Sequence, residues 1–385
     1  MQITILCKVV DNFGDIGVVY RLAKQLKKIK AENQINLVVD DLLCFQKICS
    51  SIQCDVPFQE VESLNVYNWN ASDFCHKAFS ADDGALMPVI LECFQCGRPD
   101  WLERILFEEK LQRTVQIIMI DYLTAEKYAE DFHCLQSLTR SAKVQKVNFM
   151  PGFTEKTGGL VIDDAWSEVP EWNSEGPVLV FTYENDWVEL AEALADYCID
   201  NGRKVLVAQG RGKESFMQSF AKVVSSPSTN SETAITFIEE LPYLSQTEWD
   251  EMMKGCSALV IRGEESMSRA CLSGIPFIWH AYPQSDEYQL VKVRALLERM
   301  KPHFDEEDFE IVSKAWLKIN GYNEVSLSGL TGQSAQDSDV QNMYIQFFSS
   351  IPRLVPGFRD FAQSLRKNGD LCANLMTFIE KLAII

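Results

Sequence analysis

The sequence predicts an α/β protein built from two doubly wound units, and three observations carry that expectation. At 385 residues the chain is longer than a typical single core. Each half alternates apolar β-type runs with helical ones, which argues for parallel sheets covered by helices on both faces. A stretch rich in Gly, Pro and turn formers, Pro151 to Pro177, separates the two halves.

The elements of the first half follow in order. "ITILCKVV" reads as a strand, with a helix from Ile16 to Ile29 after it. "INLVVDDL" and the helical "LLCFQKICSS" come next, and the alternation continues to "TVQIIMIDYL" and "KVNFM". Beyond the linker, "VLVFTYEN" opens a second alternation: a helix near Trp187 to Asn201, then "KVLVAQG", a short helix and "ITFIEELPYLS". A helix from Gln246 to Lys254, "ALVIRGEES", another helix, "IPFIWHAYPQ" and a helix from Ser285 to Met300 complete it. Ser225 to Thr233 and Ser326 to Asp339 have the composition of surface loops. The acidic run at Asp305 reads as a solvated helix start, and one or two helices end the chain from Phe358 to Leu382. The expected domains are therefore 1–165, 173–357 and a terminal segment, 358–385, that crosses back to the first domain. Such units suggest facing sheets with a cleft, and ligands at the carboxyl ends of the strands.

A formal charge of −19 argues against nucleic acid or an anionic membrane as the main partner, since a polyanion is repelled. A cationic or guanidinium-bearing partner fits better. An anionic ligand would have to be held by local devices, a helix N-terminus or a single arginine. No run reaches transmembrane length, the N-terminus lacks the pattern of a signal peptide, and twelve scattered cysteines read as reduced thiols, so the expected location is the cytoplasm. Cys93 and Cys96 have the spacing of a redox or half-zinc motif but no second pair, and are read as buried helix cysteines. "DD" occurs at Asp40, Asp82 and Asp163, none of these pairs lying in the D-x-D pattern of metal-dependent sugar transferases, and no metal site is expected.

Chemistry is sought in the loops after strands. "DNFGDIG" has only Gly14 and Gly17 where a dinucleotide fingerprint needs three glycines. In the simpler reading Asp11 makes an Asx turn, Gly14 supplies a positive φ and Asp15 caps the helix. In the functional reading, a carboxylate at a helix N-terminus is kept ionised by the dipole, as a base or a cation anchor must be. In the second half, "VIRGEESMSRA" places Arg262, Gly263, Glu264, Glu265 and Ser266 at a strand end, where turn N–H groups, a hydroxyl and the arginine could cradle a diphosphate. A capping box with a surface ion pair is the simpler alternative. Phe181 and Tyr183 of "FTYEN", with Tyr243 and Gln246 of "LPYLSQTEWD", could stack on a base and read its edge.

Together, "CKVVDNFGDIGVVYRLAKQL", "PGFTEKTGGL", "RGEES" and "PFIWHAYPQSDEYQL" resemble the elongation factor P protein-arginine rhamnosyltransferase family, over most of the chain. The resemblance implies a GT-B architecture of two facing Rossmann-like domains and inverting, metal-independent transfer of L-rhamnose. The implied donor is dTDP-β-L-rhamnose, without a further cofactor. The implied acceptor is an arginine of elongation factor P, which the modification activates for ribosomes stalled at polyproline. By the same resemblance the essential aspartates fall on Asp11 and Asp15, and the donor-site arginine and acid on Arg262 and Glu264. Phe181, Tyr183 and Tyr243 would surround the base, Gln246 would read its edge, and Ser266 would meet the diphosphate. Phe13, Gly14 and Gly263 complete the nucleotide-sugar set. Glu265 stands where relatives usually have aspartate and is left outside it. Asp15 would then be the general base, with Asp11 and Glu264 holding the guanidinium. The alternatives are a GT-B transferase with another donor or acceptor, or a non-catalytic nucleotide-binding module.

Overall fold

The computed structural model describes residues 1–10, 13–80, 87–225, 237–321 and 342–382. The chain divides into two compact units, Met1–Ser167 with Leu365–Ile385, and Glu168–Ser364. The stretches read as surface loops, Ser225 to Thr233 and Ser326 to Asp339, lie outside the described residues except for Ser225, which ends a helix.

The first unit holds strands β1 (Gln2–Cys7), β2 (Gln34–Val39), β3 (Phe58–Val61), β4 (Leu64–Asn68), β5 (Val89–Cys93), β6 (Val115–Ile120), β7 (Gln136–Ser137) and β8 (Val144–Phe149). They form one sheet in the order β3-β4-β2-β1-β5-β6-β8-β7. The inner strands are all parallel, while β3 and β7 close the edges antiparallel. Period-2 geometry sends Ile3, Ile5 and Cys7 of β1 to one face and Leu6 to the other, and each face has its own apolar core. Ile16, Val19, Leu22, Ala23 and Leu26 of helix α1 (Phe13–Ile29) fill the first core. Large apolar side chains buried in this way contribute about 1.5–3 kcal/mol each, so the helix that follows the acidic loop is firmly seated. The C-terminal helix Leu371–Leu382 packs into the same core through Leu375, Met376 and Ile379. Phe79, Trp101 and Ile105 from helices α3 (Ser72–Ser80) and α4 (Asp100–Phe107), which follow α2 (Leu42–Ile48), fill the second.

The second unit begins after α5 (Tyr128–Phe132) and β8. Its strands β9 (Val178–Val180), β10 (Val205–Val207), β11 (Ile238–Glu240), β12 (Ala258–Arg262) and β13 (Phe277–His280) form an all-parallel sheet in the order β11-β10-β9-β12-β13. The intervening helices are α6 (Val188–Asp200), α7 (Lys213–Val224), α8 (Gln246–Lys254) and α9 (Glu264–Ser273), followed by α10 (Tyr288–Met300) and α11 (Glu306–Ile319). The acidic run at Asp305 does start a helix: the Asp305 carboxylate accepts the Asp308 N–H at 2.8 Å.

Among the parallel strands each order reverses once, and the reversal positions the loops that matter. In the first sheet the parallel strands run outward through β2 and β4 on one side of β1 and then through β5, β6 and β8 on the other. In the second the reversal lies between β9 and β12. Loops leaving the carboxyl ends of such neighbours part to opposite faces and leave a crevice, the topological switch point where ligands of open α/β sheets bind.

Candidate active site

The acidic loop leaves β1 at the first switch point. Asp15 sits in the first turn of α1, 3% exposed, and its Oδ2 accepts the Val10 N–H at 2.8 Å. Asp40, at the end of the neighbouring β2, accepts the Val9 N–H at 2.8 Å, so two carboxylates grip successive amides of the loop. Burial raises the Asp40 carboxyl above the usual carboxylate range. Asp11 lies outside the described residues, as does the side chain of Phe13. Gly14 is the second residue of α1 in helical backbone, which corrects the expectation of a positive φ: the helix starts one residue ahead of it.

Cys93 and Cys96 lie beside this loop, and neither is on a helix. Cys93 is the last residue of β5, and Cys96 follows a turn made by Phe94 and Gln95 at φ 56° and 52°. The short apolar run before Cys93 is a fully buried strand, which periodicity alone does not separate from helix. Burial pushes the Cys93 thiol well up and the Cys96 thiol up to about 12, so neither is a thiolate at neutral pH.

At the second switch point Arg262 ends β12, while Phe181 and Tyr183 follow β9 on the adjacent strand. The guanidinium carbon lies 4.4 Å from the Phe181 ring centre and 4.5 Å from that of Tyr183, a cation held by two aromatic faces. Arg262 is 8% exposed, and its Nε is buried with no hydrogen-bond partner among the described residues. A buried donor left this way costs about 1–3 kcal/mol, the mark of a group shaped for something other than stability. Gly210, on the loop after β10, closes one side. A Cβ there would stand 3.0 Å from the Phe181 ring and 3.2 Å from the Arg262 guanidinium.

Gly263 then turns the chain into α9 with φ 72° and ψ 165°, a region essentially reserved for glycine. No side chain caps this helix, so the capping-box alternative fails here. That motif occurs instead at the start of α8, where Ser245 and Glu248 exchange both hydrogen bonds. Glu264, Glu265 and Ser266 form the uncapped first turn of α9, beside the stacked arginine, and a helix N-terminus next to a cation is an arrangement suited to an anion. Glu264 pairs with Lys292 of α10 at 3.4 Å, and Glu265 with the buried Arg269 at 3.7 Å.

Phe181, Tyr183, Arg262, Gly263, Glu264 and Ser266 thus come from two adjacent strand ends. Tyr243 and Gln246 come from the loop after β11, at the far side of this sheet; Tyr243 is 56% exposed and Gln246 starts α8. Trp249 of that helix packs edge-on against Phe181 at 5.2 Å and links the two groups. Sequence reasoning passed over Trp249, Gly210, Lys292 and His280. Only His280 left a signal, as a polar residue closing an apolar strand.

The sequence profile of the EarP family, described as elongation factor P (EF-P) rhamnosyltransferases, matches residues 3–380. The chain belongs to this family. Among relatives, the protein-arginine rhamnosyltransferase of Shewanella oneidensis is 29% identical over 344 residues, covering 82% of this chain and 84% of that one. The one from Pseudomonas putida is 30% identical over 323 residues, covering 76% and 80%. A solved structure described as the basis for EarP-mediated arginine glycosylation of translation elongation factor EF-P matches with a TM-score of 0.56 at 18% identity, over 98% of each chain. The fold is accordingly α/β of the GT-B class. Membership in the EarP family carries the coarse activity, rhamnosyl transfer to arginine of EF-P.

Proposed function

We propose that this EarP-family member takes L-rhamnose from dTDP-β-L-rhamnose and transfers it, with inversion and without a metal or other cofactor, to the arginine of EF-P. The observation that supports this most is Arg262, stacked between Phe181 and Tyr183 with its Nε unsatisfied, beside the uncapped start of α9. In a chain of net charge −19 that is a concentrated device for a nucleoside diphosphate. Tyr243 and Gln246 are assigned to the base, and Ser266 with the α9 N–H groups to the diphosphate.

A guanidinium with a pKa above about 12 is protonated and delocalised, so it attacks only if its charge is localised and a proton is removed. Asp15 is assigned as the base that takes that proton, while Asp11 and Glu264 hold the remaining nitrogens. The nitrogen lone pair forms the bond to C1 as the C1–O bond to the diphosphate breaks, and that electron pair leaves with the dTDP oxygen. Attack opposite the leaving group turns the β donor into an α-linked product. Arg262 and the α9 N–H groups stabilise the departing charge. The cytoplasm is the proposed setting. All twelve cysteines are free thiols, and no helix among the described residues is long and apolar enough to cross a membrane.

The test is the intact mass of EF-P after incubation with this protein and dTDP-L-rhamnose, with and without a chelator, followed by NMR of the product. One added deoxyhexose on an arginine, α-linked and unaffected by chelation, is the expected result. A β linkage would overturn the inversion, and chelator-sensitive turnover the metal independence. Failure of the thymidine donor where a uridine one succeeds would overturn the donor.

A further inference from the structure

His280 closes β13 in register with Arg262, which closes β12 on the adjacent strand. It is 3% exposed. Its Nδ1 accepts the backbone N–H of Tyr183 at 3.3 Å, linking the end of β13 to the loop after β9. The rings of Tyr183 and Trp187 meet it edge-on at 5.3 and 5.2 Å, so its orientation is fixed from two sides. Tyr183 also lies under the Arg262 guanidinium, whose carbon is 4.5 Å from the tyrosine ring centre.

We infer that His280 is a positioning residue of the donor site: its uncharged ring holds the Tyr183 backbone and so sets the tyrosine face against Arg262. This rests on the donor reading given above. The chemistry of the site requires the neutral form. Accepting at Nδ1 leaves the ring proton on Nε2, whereas an imidazolium would lose the acceptor and place a second buried cation beside the arginine. Burial, reinforced by the Arg262 charge, lowers the His280 pKa to about 4, so the ring stays an acceptor throughout the neutral range. A histidine serving only to fill the core would need neither the register opposite Arg262 nor the bond to the loop that supplies the stacking ring.

The test is titration calorimetry of dTDP-L-rhamnose into the wild type and the variants His280→Asn, His280→Gln and His280→Phe. Each is checked by a thermal melt, and the KM for EF-P is measured alongside. Asparagine can present its oxygen near the Nδ1 position, glutamine places its amide at the Nε2 end, and phenylalanine keeps only the ring. Donor affinity is expected to fall about tenfold in the Gln and Phe variants, the scale of one lost hydrogen bond and its geometry, and Asn is expected to restore it to within about threefold. The KM for EF-P is expected to hold throughout. A Gln variant within about twofold of wild type, an Asn variant as weak as Phe, or an acceptor KM that rises with the donor Kd overturns the inference. If the Phe variant does not fold, the Asn and Gln pair decides. A wild type that does not bind the donor would overturn the donor reading first, and this inference with it.

Discussion

The segment after β1 and the turn after β12 both lead from a central strand into a helix, but a buried carboxylate stands at the first and an arginine at the second. Each lies at a switch point. In the first, Asp15 is buried at the helix start and reaches back to the Val10 amide, while Asp40 holds Val9. In the second, the helix start has no side-chain cap, and Arg262 stands before it between two rings. The fold decides where chemistry can occur, and the side chains placed there decide which chemistry. In the proposed reaction the first meets a cation that must lose a proton, the second an anion that must leave.

The sharpest way to break this comparison is Asp15→Asn. The amide oxygen can still accept the Val10 N–H, so the loop should persist while the base is lost. Turnover is expected to fall about a hundred- to ten-thousand-fold with donor affinity unchanged, measured by single-turnover mass spectrometry and calorimetry. Near wild-type turnover would move the base elsewhere. In the other turn, Arg262→Met is expected to weaken dTDP-L-rhamnose about 10- to 100-fold, with the KM for EF-P unchanged. Arg262→Lys should not restore it, because a point charge replaces a planar group stacked on two faces. Unchanged donor titration in the Met variant would remove Arg262 from the site.

The βα alternation was legible because parallel strands buried on both faces read as unbroken apolar runs, as β1, β9 and β12 do. The antiparallel β3–β4 hairpin was not. Its turn is made by Glu62 and Ser63 at φ 49° and 63°, without the glycine or asparagine that marks such turns. The acidic loop and the Arg262 turn were legible because charged residues interrupting a strand-to-helix junction are conspicuous. Asp40 and His280 were not, since each acts on a residue distant in sequence: Asp40 across β2 and β1, His280 through the register of β12 and β13 and the loop after β9. Gly14 misled because glycine in a loop-like string suggests a left-handed turn, whereas here it lies inside the helix.

Gly263→Ala sharpens the comparison at the backbone level. A Cβ there would come no nearer than 3.8 Å to the Tyr183 hydroxyl, so the substitution tests strain and not collision. Holding alanine at that φ and ψ costs about 1–3 kcal/mol, and relaxing it tilts the first turn of α9 away from the diphosphate. Donor affinity is expected to fall about tenfold by calorimetry, while affinity for EF-P stays level. An unchanged donor Kd would show that the α9 N–H groups do not meet the phosphates.

The smallest effect is expected for Lys292→Met. The Lys292 ammonium lies 3.4 Å from Glu264, and both side chains are 22% exposed. A partly solvated pair of this kind contributes up to about 1 kcal/mol, so the change in kcat/KM for EF-P should be about threefold or less. That difference should shrink as salt is raised, because screening weakens the pair in the wild type and has nothing to weaken in the variant. A salt-independent loss of about tenfold or more would mean that Lys292 itself meets the donor. The second turn would then carry two cations against the diphosphate, making its contrast with the acidic turn steeper than Arg262 alone provides.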